Sequence, residues 1–131
     1  LDLLAERGFL YDSSLMGDDA PYFVDTANGR MVEIPVEWAL DDVPYYAFNR
    51  GAGSMNTPED VYKVWEWEFD GAHQYGRALT LTMHPQVTGR LAKIMVLERL
   101  IKYIQHHSRI DFYRCGDVAK AWTKDGMRPS I

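Results

Sequence analysis

Residues 57–84 read TPEDVYKVWEWEFDGAHQYGRALTLTMH, a helix pattern that passes directly into a strand pattern. Thr57 is a suitable N-cap, Pro58 fits the first helical turn, and the helix is expected to end at about Gly76. The apolar positions that recur at intervals of three and four are Val61, Val64, Trp65, Phe69 and Ala72. In residues 78–84, threonines alternate with apolar residues, as in strands. The stretch therefore predicts a helix followed by a strand.

The remainder of the chain continues this alternation of helix and strand. Residues 91–107 predict a second long helix, residues 110–115 a short strand, and residues 117–122 a last helix. The expected apolar stripe of the second helix is Ile94, Leu97, Ile101 and Ile104. Such an order builds parallel sheets through right-handed crossovers, so the predicted fold class is α/β. Because a closed (β/α) barrel needs about 200 residues or more, the 131 residues predict part of a barrel.

The N-terminal segment has a helical pattern that ends at Gly8, where a left-handed C-cap glycine is expected. Neither an initiator Met nor an N-cap precedes this pattern, so we expect the chain to begin inside a helix and further sequence to lie upstream of Leu1. Residues 9–14, FLYDSS, then predict a buried strand.

Two further features lie between these segments. In residues 22–36, Asn28-Gly29 separates two runs rich in apolar and β-branched residues, which predicts an inserted β-hairpin. Residues 37–57 contain glycines, a proline and many aromatic residues without a clear period. They predict a long loop or lid.

Composition narrows the classes of partner. The net charge is -5, from 19 acidic and 14 basic residues, and the basic residues are scattered. Nucleic acid is therefore a poor partner, because binding it requires clustered positive charge. The single cysteine, Cys115, cannot form an intrachain disulfide, and cytoplasmic localisation is expected. No apolar run approaches the roughly 20 residues of a membrane helix, so no membrane partner is expected.

His84 is the leading candidate for catalysis, because it ends the strand predicted over residues 78–84. In α/β folds the carboxyl ends of the strands carry the active site. Pro85 fixes the backbone directly after it. A histidine so placed can act as general acid or base near neutral pH. The alternative is a structural histidine satisfied by hydrogen bonds.

Asp41 and Asp42 are the second candidate, because adjacent carboxylates at the end of a strand could orient a catalytic histidine. Capping of a turn is the alternative role for such a pair. The other metal-ligand residue types do not form a set. His106 and His107 are neighbours at a helix end and point to different sides, and His73 has no ligand at a suitable spacing. No complete metal site is predicted within the chain.

Three blocks of sequence carry a family resemblance: GFLYDSSLMGDD, then VEIPVEWALDD, then LTLTMHPQVTGR leading into LERLIKYIQHH. In this order they resemble the polysaccharide deacetylase family, which has NodB homology. More narrowly, they are similar to its intracellular-type branch of peptidoglycan-deacetylase-like and allantoinase-like proteins. The resemblance extends from residue 1 to about residue 122, and its most specific motif is Met83-His84-Pro85.

The resemblance implies a fold, a metal site and a set of catalytic residues. Members of the family are distorted (β/α) barrels that bind one divalent ion through an aspartate and two histidines. The chain would be the C-terminal portion of such a barrel, and the metal ligands, for an ion expected to be zinc, would lie upstream of Leu1. His84 matches the late histidine of the family, which acts as general acid toward the leaving amine. Asp41 and Asp42 match the block that places an acidic residue near that histidine.

The resemblance also implies a function, a metal-dependent hydrolase of non-peptide C–N bonds with a carbohydrate or small-molecule amide as substrate. Trp38 and Tyr46, in the aromatic-rich segment, are expected to form the wall of the substrate pocket. The missing N-terminal half of the same protein is the expected partner, and a homo-oligomer is expected because part of a barrel exposes strand edges. The alternatives are a hydrolase of ureides or cyclic imides, and a non-catalytic binding or assembly module on the same scaffold.

Overall fold

The computed structural model describes residues 1–46 and 56–125. The described part combines helices with a small sheet. The helices are α1 (Asp2–Glu6), α2 (Val43–Tyr46), α3 (Pro58–Tyr75), α4 (Leu91–Gln105) and α5 (Cys115–Asp125), with a 3-10 turn at Trp38–Leu40. The strands are β1 (Tyr11–Asp12), β2 (Tyr22–Thr26) and β3 (Gly29–Glu33). This mixed content confirms the α/β class in its coarse form.

The sheet has the order β1-β3-β2, with β1 parallel and β2 antiparallel to β3. The predicted hairpin is therefore confirmed, but its turn is one residue earlier than expected. Thr26 pairs with Gly29, so Ala27 and Asn28 form the two-residue turn. Gly29 begins β3 with a φ of 115°, a backbone conformation that favours glycine.

The predicted strands form only in part. Within residues 9–14 only Tyr11–Asp12 pairs, and Phe9, expected to be buried, is exposed. Residues 78–84 contribute a single parallel bridge, between Thr82 and Asp41, and residues 110–115 contribute none. These expectations were wrong in extent because a strand needs a neighbouring backbone along its edge, and the described residues supply little of one here.

Helix α3 begins and ends as its local signals predict. The Thr57 hydroxyl accepts a hydrogen bond from the Asp60 N–H, and the Asp60 carboxylate accepts one from the Thr57 N–H. Gly76 ends the helix in the left-handed conformation, with a φ of 64°. None of the helices in the described ranges combines the length and apolar character needed to cross a membrane.

The apolar face of α4 differs from the expected stripe. Val96, Leu100 and Ile104 are the buried positions, whereas Ile94 is exposed. The reason is that α4 packs mainly against α3, and this contact selects the line of residues that faces that helix. The resulting core contains Leu40, Tyr46, Val61, Tyr62, Trp65, Phe69, Val96, Leu100 and Ile104.

The described part of the segment after β3 contains more regular structure than the predicted long loop. Its described part contains the 3-10 turn and α2, while Phe48 and the rest of residues 47–55 lie outside the described residues. Trp65, fully buried in α3, donates its indole N–H to the Ala39 carbonyl at 3.1 Å, and the Tyr45 hydroxyl donates to the same oxygen. These bonds fix the 3-10 turn against α3 and thereby position the two aspartates that follow.

Candidate active site

The two candidate segments are held side by side by a short parallel bridge. The Thr82 N–H donates to the Leu40 carbonyl at 2.7 Å, and the Asp42 N–H donates to the Thr82 carbonyl at 3.2 Å. Because the segments run in parallel, the residues that follow the bridge in each of them emerge at the same end. Asp42 and His84 therefore meet.

Asp42 and His84 form a direct pair. The distance from His84 Nδ1 to Asp42 Oδ1 is 2.7 Å, and the His84 backbone N–H donates to Asp42 Oδ2 at 3.0 Å. The Asp42 side chain is fully buried, whereas 37% of the His84 side chain is exposed. An ionised carboxylate only accepts hydrogen bonds, so Nδ1 carries a proton, which leaves Nε2 to exchange a proton with a bound molecule. Of the two candidate aspartates, Asp42 is the one whose carboxylate contacts the His84 ring; its role in catalysis stays a prediction.

Thr88 completes the surroundings of the buried carboxylate. Its hydroxyl donates to Asp42 Oδ2 at 2.6 Å and its backbone N–H donates to the same oxygen at 3.2 Å. With the two donors of His84, Asp42 thus accepts four hydrogen bonds. These bonds compensate the cost of burying a charge. Thr88 was not among the residues predicted from the sequence. Its one available signal was a hydroxyl residue four positions after a candidate catalytic histidine.

A tight turn brings Thr88 back to His84. The N–H groups of Val87 and Thr88 both donate to the His84 carbonyl, at 2.8 and 3.0 Å. Gly89 closes the turn at a place where a side chain does not fit, because a Cβ there would lie 2.3 Å from the Pro85 carbonyl oxygen. The local sequence therefore builds the histidine and the threonine into one unit.

The electrostatics of the pair favour proton transfer by His84. Burial raises the pKa of Asp42, but the hydrogen bonds from Thr88 and His84 outweigh burial, and the net pKa lies below its usual value. The hydrogen bond to Asp42 raises the pKa of His84, and the negative charges of Asp42 and Asp41 act in the same direction. An ionised Asp42 thus helps the imidazole to hold a second proton. A protonated imidazole can act as a general acid.

Asp41 takes a different role from Asp42. Its Oδ1 accepts a hydrogen bond from the Val43 N–H at 2.8 Å, which is the turn-capping alternative. One ligand atom each from Asp41, Asp42 and His84 lie within 4.8 Å of one another, so the three residues could hold a metal ion. However, both oxygens of Asp42 and Nδ1 of His84 are already engaged in hydrogen bonds. The arrangement fits a histidine acid better than a metal centre, and we derive no step through a metal on these residues.

The two predicted wall residues lie in different environments. Trp38 is 65% exposed on the 3-10 turn, whereas Tyr46 is 4% exposed and packs in the core. Burial raises the pKa of Tyr46 to about 12, with a contribution from the Asp42 charge. Their role in substrate binding stays a prediction.

The remaining histidines contact groups other than His84. The Nδ1 atoms of His106 and His107 face the backbone carbonyls of Lys102 and Tyr103, one helical turn earlier. The structure brings His73 and His107 together, with 5.3 Å between their ring centroids, in a packed group with Phe69. This contact was not predicted from the sequence, because it joins α3 to the residues that follow α4, which are far from His73 in the chain.

Comparisons with known proteins find a consistent set of relatives. No family model matches the sequence. The chain is 27% identical to the peptidoglycan deacetylase of Helicobacter pylori over 157 residues, covering 97% of this chain and 53% of that protein. A crystal structure from Mycobacterium smegmatis, described as a polysaccharide deacetylase, superimposes with a TM-score of 0.89 at 34% identity over 99% of this chain and 46% of that one.

Two other solved structures show similar agreement. One, from Pseudomonas aeruginosa and also described as a polysaccharide deacetylase, has a TM-score of 0.81 at 29% identity. The other, the Puue allantoinase, has a TM-score of 0.80 at 26% identity. Both matches cover 94% of this chain and 42% of the other. The chain thus spans about half the length of the relatives it matches.

Proposed function

Since the chain belongs to the polysaccharide deacetylase family, as its sequence motifs predicted, we propose that it forms part of a hydrolase of non-peptide carbon–nitrogen bonds in which His84 is the general acid. The observation that carries this proposal is the 2.7 Å contact between His84 Nδ1 and the buried carboxylate of Asp42. A carboxylate in that place sets the tautomer of the imidazole and stabilises its protonated form.

The reaction needs a proton at the departing nitrogen, because an amide nitrogen leaves poorly as an anion. Protonated His84 donates its Nε2 proton to that nitrogen as the carbon–nitrogen bond breaks. Asp42 keeps the Nδ1 proton in place throughout and stays ionised, since its hydrogen bonds hold its pKa low. The partly exposed ring allows Nε2 to reach a bound substrate.

The metal dependence of the family extends this proposal. A divalent ion, for which zinc is our expectation, would activate water and polarise the acyl oxygen. We place its ligands in the part of the protein that corresponds to the remaining length of the relatives. The proposed complete fold is a distorted (β/α) barrel of which this chain is the C-terminal part, an assignment supported by the parallel pairing of β1 with β3 and of Asp41 with Thr82.

Substrates are proposed from the relatives. The similarity to peptidoglycan and polysaccharide deacetylases favours an N-acetylated carbohydrate. The similarity to an allantoinase supports a second candidate, a ureide or cyclic amide, because the same acid would serve its leaving nitrogen. We assign the exposed Trp38 to substrate contact in either case.

The test is the turnover of the full-length protein before and after His84→Ala. N-acetylated oligosaccharides, assayed by acetate release, and ureides, assayed by ring opening, form the substrate panel. We expect kcat on the accepted substrate to fall by about 10² to 10⁴, the usual contribution of a general acid. Melting temperature and metal content should stay close to those of the wild type.

His106→Ala is the matched control, because among the described residues the only hydrogen-bond partner of this exposed side chain is the backbone carbonyl of Lys102. Its replacement should leave turnover unchanged. If His84→Ala kept its turnover per folded molecule, His84 would be structural and the proposal would fail. Loss of bound metal in that variant would instead identify His84 as a ligand.

A further inference from the structure

The side chain of Thr88 reaches the imidazole of His84 only through Asp42, to which Thr88 donates two hydrogen bonds. Its side chain is 2% exposed, and both its hydroxyl and its backbone N–H donate to Oδ2 of Asp42. We propose that Thr88 is a positioning residue of the reaction, which sets the plane of the Asp42 carboxylate so that Oδ1 is reserved for His84. This inference rests on the proposed function.

The donors on Asp42 are divided unequally between its two oxygens. Oδ2 accepts three hydrogen bonds, two from Thr88 and one from the His84 backbone, while Oδ1 accepts the imidazole Nδ1–H. The terminal torsion of an aspartate is broad and nearly two-fold, so packing alone defines its angle poorly. The three donors on one oxygen define it, and the angle of the carboxylate then directs the imidazole.

The chemistry of the hydroxyl decides the direction of its bond. Ionised Asp42 can only accept, so the Thr88 hydroxyl donates at 2.6 Å. The β-branched side chain restricts its own rotamer, which holds the hydroxyl in place. Valine would keep this shape without the donor, whereas serine would keep the donor without the methyl group. These two substitutions separate positioning from packing.

The turn that carries Thr88 also carries the acid. The Thr88 N–H donates to the His84 carbonyl at 3.0 Å, and Gly89 permits the close approach to Pro85. His84 and the anchor of its aspartate therefore belong to one rigid turn, while Asp42 enters from another segment. The Asp42 carboxylate accepts hydrogen bonds from both residues of this turn and so holds the turn against the segment that follows the 3-10 turn.

The experiment compares Thr88→Val and Thr88→Ser in the full-length protein. Thr88→Val should lower kcat by roughly tenfold to a hundredfold, the loss seen when an outer partner of a functional histidine is removed. KM should stay unchanged, because Thr88 is buried behind Asp42 and does not meet the substrate. The downfield proton signal of His84 Nδ1–H should disappear from the NMR spectrum. Thr88→Ser should restore most of the kcat and the signal.

The outcome that would overturn the inference is a Thr88→Val protein that is merely less stable, with kcat and the Nδ1–H signal preserved. If that variant does not fold, Thr88→Cys keeps the size with only a weak donor and must show the same loss in kcat at constant KM. A His84→Ala protein with full turnover would refute the proposed function instead. The NMR signal would still report whether Thr88 positions the ring.

Discussion

Replacing Asp42 with asparagine removes the charge of the buried carboxylate while it keeps the shape. Three donors, two from Thr88 and the His84 backbone N–H, converge on Oδ2. The amide oxygen must take this place, because an amide N–H₂ group there would face three donors. The N–H₂ group then faces His84 Nδ1, which loses its acceptor and must carry a lone pair instead of a proton.

The cost in stability follows from the retained bonds. The three bonds to Oδ2 change from charge-assisted to neutral, which weakens each by about 1 kcal/mol. The smaller desolvation of a neutral amide offsets part of this loss. We expect Asp42→Asn to destabilise the full-length protein by about 1 to 3 kcal/mol at neutral pH. The pKa of Asp42 in the folded state lies below the usual 3.8. The difference in stability between wild type and variant should therefore shrink as the pH falls through this lowered pKa.

The effect on turnover should be larger and should depend on pH in a defined direction. Asp42 raises the pKa of His84, so its neutralisation lowers the pH at which the imidazole loses its second proton. The alkaline limb of the kcat profile should therefore move to lower pH. At neutral pH we expect kcat to fall by about 10² to 10⁴, as when a general acid is lost.

The assays are urea unfolding across a pH series and kcat profiles on the same preparations. Asp41→Asn is the matched control: its amide oxygen can still cap the Val43 N–H, so a much smaller loss of kcat is expected. An Asp42→Asn protein whose alkaline limb stayed at the wild-type pH would refute the assigned link between Asp42 and the acid.

Three further predictions concern residues outside this pair. Glu33 is fully buried, burial raises its pKa, and nearby Asp12 adds to that effect. The stability that protonated Glu33 contributes is fully present below the usual pKa of 4.5 and is lost as the pH rises through the raised pKa of the folded state. In urea unfolding at alkaline pH, Glu33→Gln should therefore be more stable than the wild type by about 1 kcal/mol. An equal difference in stability at pH 3 would contradict this. Trp38→Ala should change the relative rates of hydrolysis of different amides with little effect on Tm, because this side chain is exposed. Tyr46→Ala should instead destabilise the folded protein by about 3 to 5 kcal/mol, because it leaves a cavity in the core. An unchanged substrate preference in Trp38→Ala would show that Trp38 does not contact the substrate.

Elements with local signals were predictable from the sequence. Helix α3 is fixed by Thr57 at one end and Gly76 at the other, and both act on the adjacent backbone. Asn28-Gly29 likewise indicated the hairpin, although pairing of Thr26 with Gly29 moved the turn by one residue. Strand pairing is not local. Residues 78–84 have a strand composition, but their only bridge partner among the described residues is Asp41.

In the candidate site, too, residues with a local sequence signal were predictable, whereas residues that depend on contacts distant in the chain were not. His84 and the pair Asp41-Asp42 could be selected as candidates because each was placed at the end of a predicted strand, and parallel segments bring such residues to one end. Thr88 was missed, since its hydroxyl acquires a role only when a turn closed at Gly89 returns it to a carboxylate 46 positions earlier in the chain. Tyr46 was expected at a pocket wall from the aromatic content of its segment. Its burial depends on how α2 packs against the core, which composition does not encode.

The dependence of the His84→Ala loss on the leaving group tests the general-acid role most directly. The measurement is kcat of wild type and variant, in the full-length protein, on an amide and on an activated ester that shares its acyl group. An ester that leaves as a stable anion needs little proton donation, so the loss of about 10² to 10⁴ on the amide should shrink strongly on the ester. Equal losses on both substrates would contradict proton donation by His84.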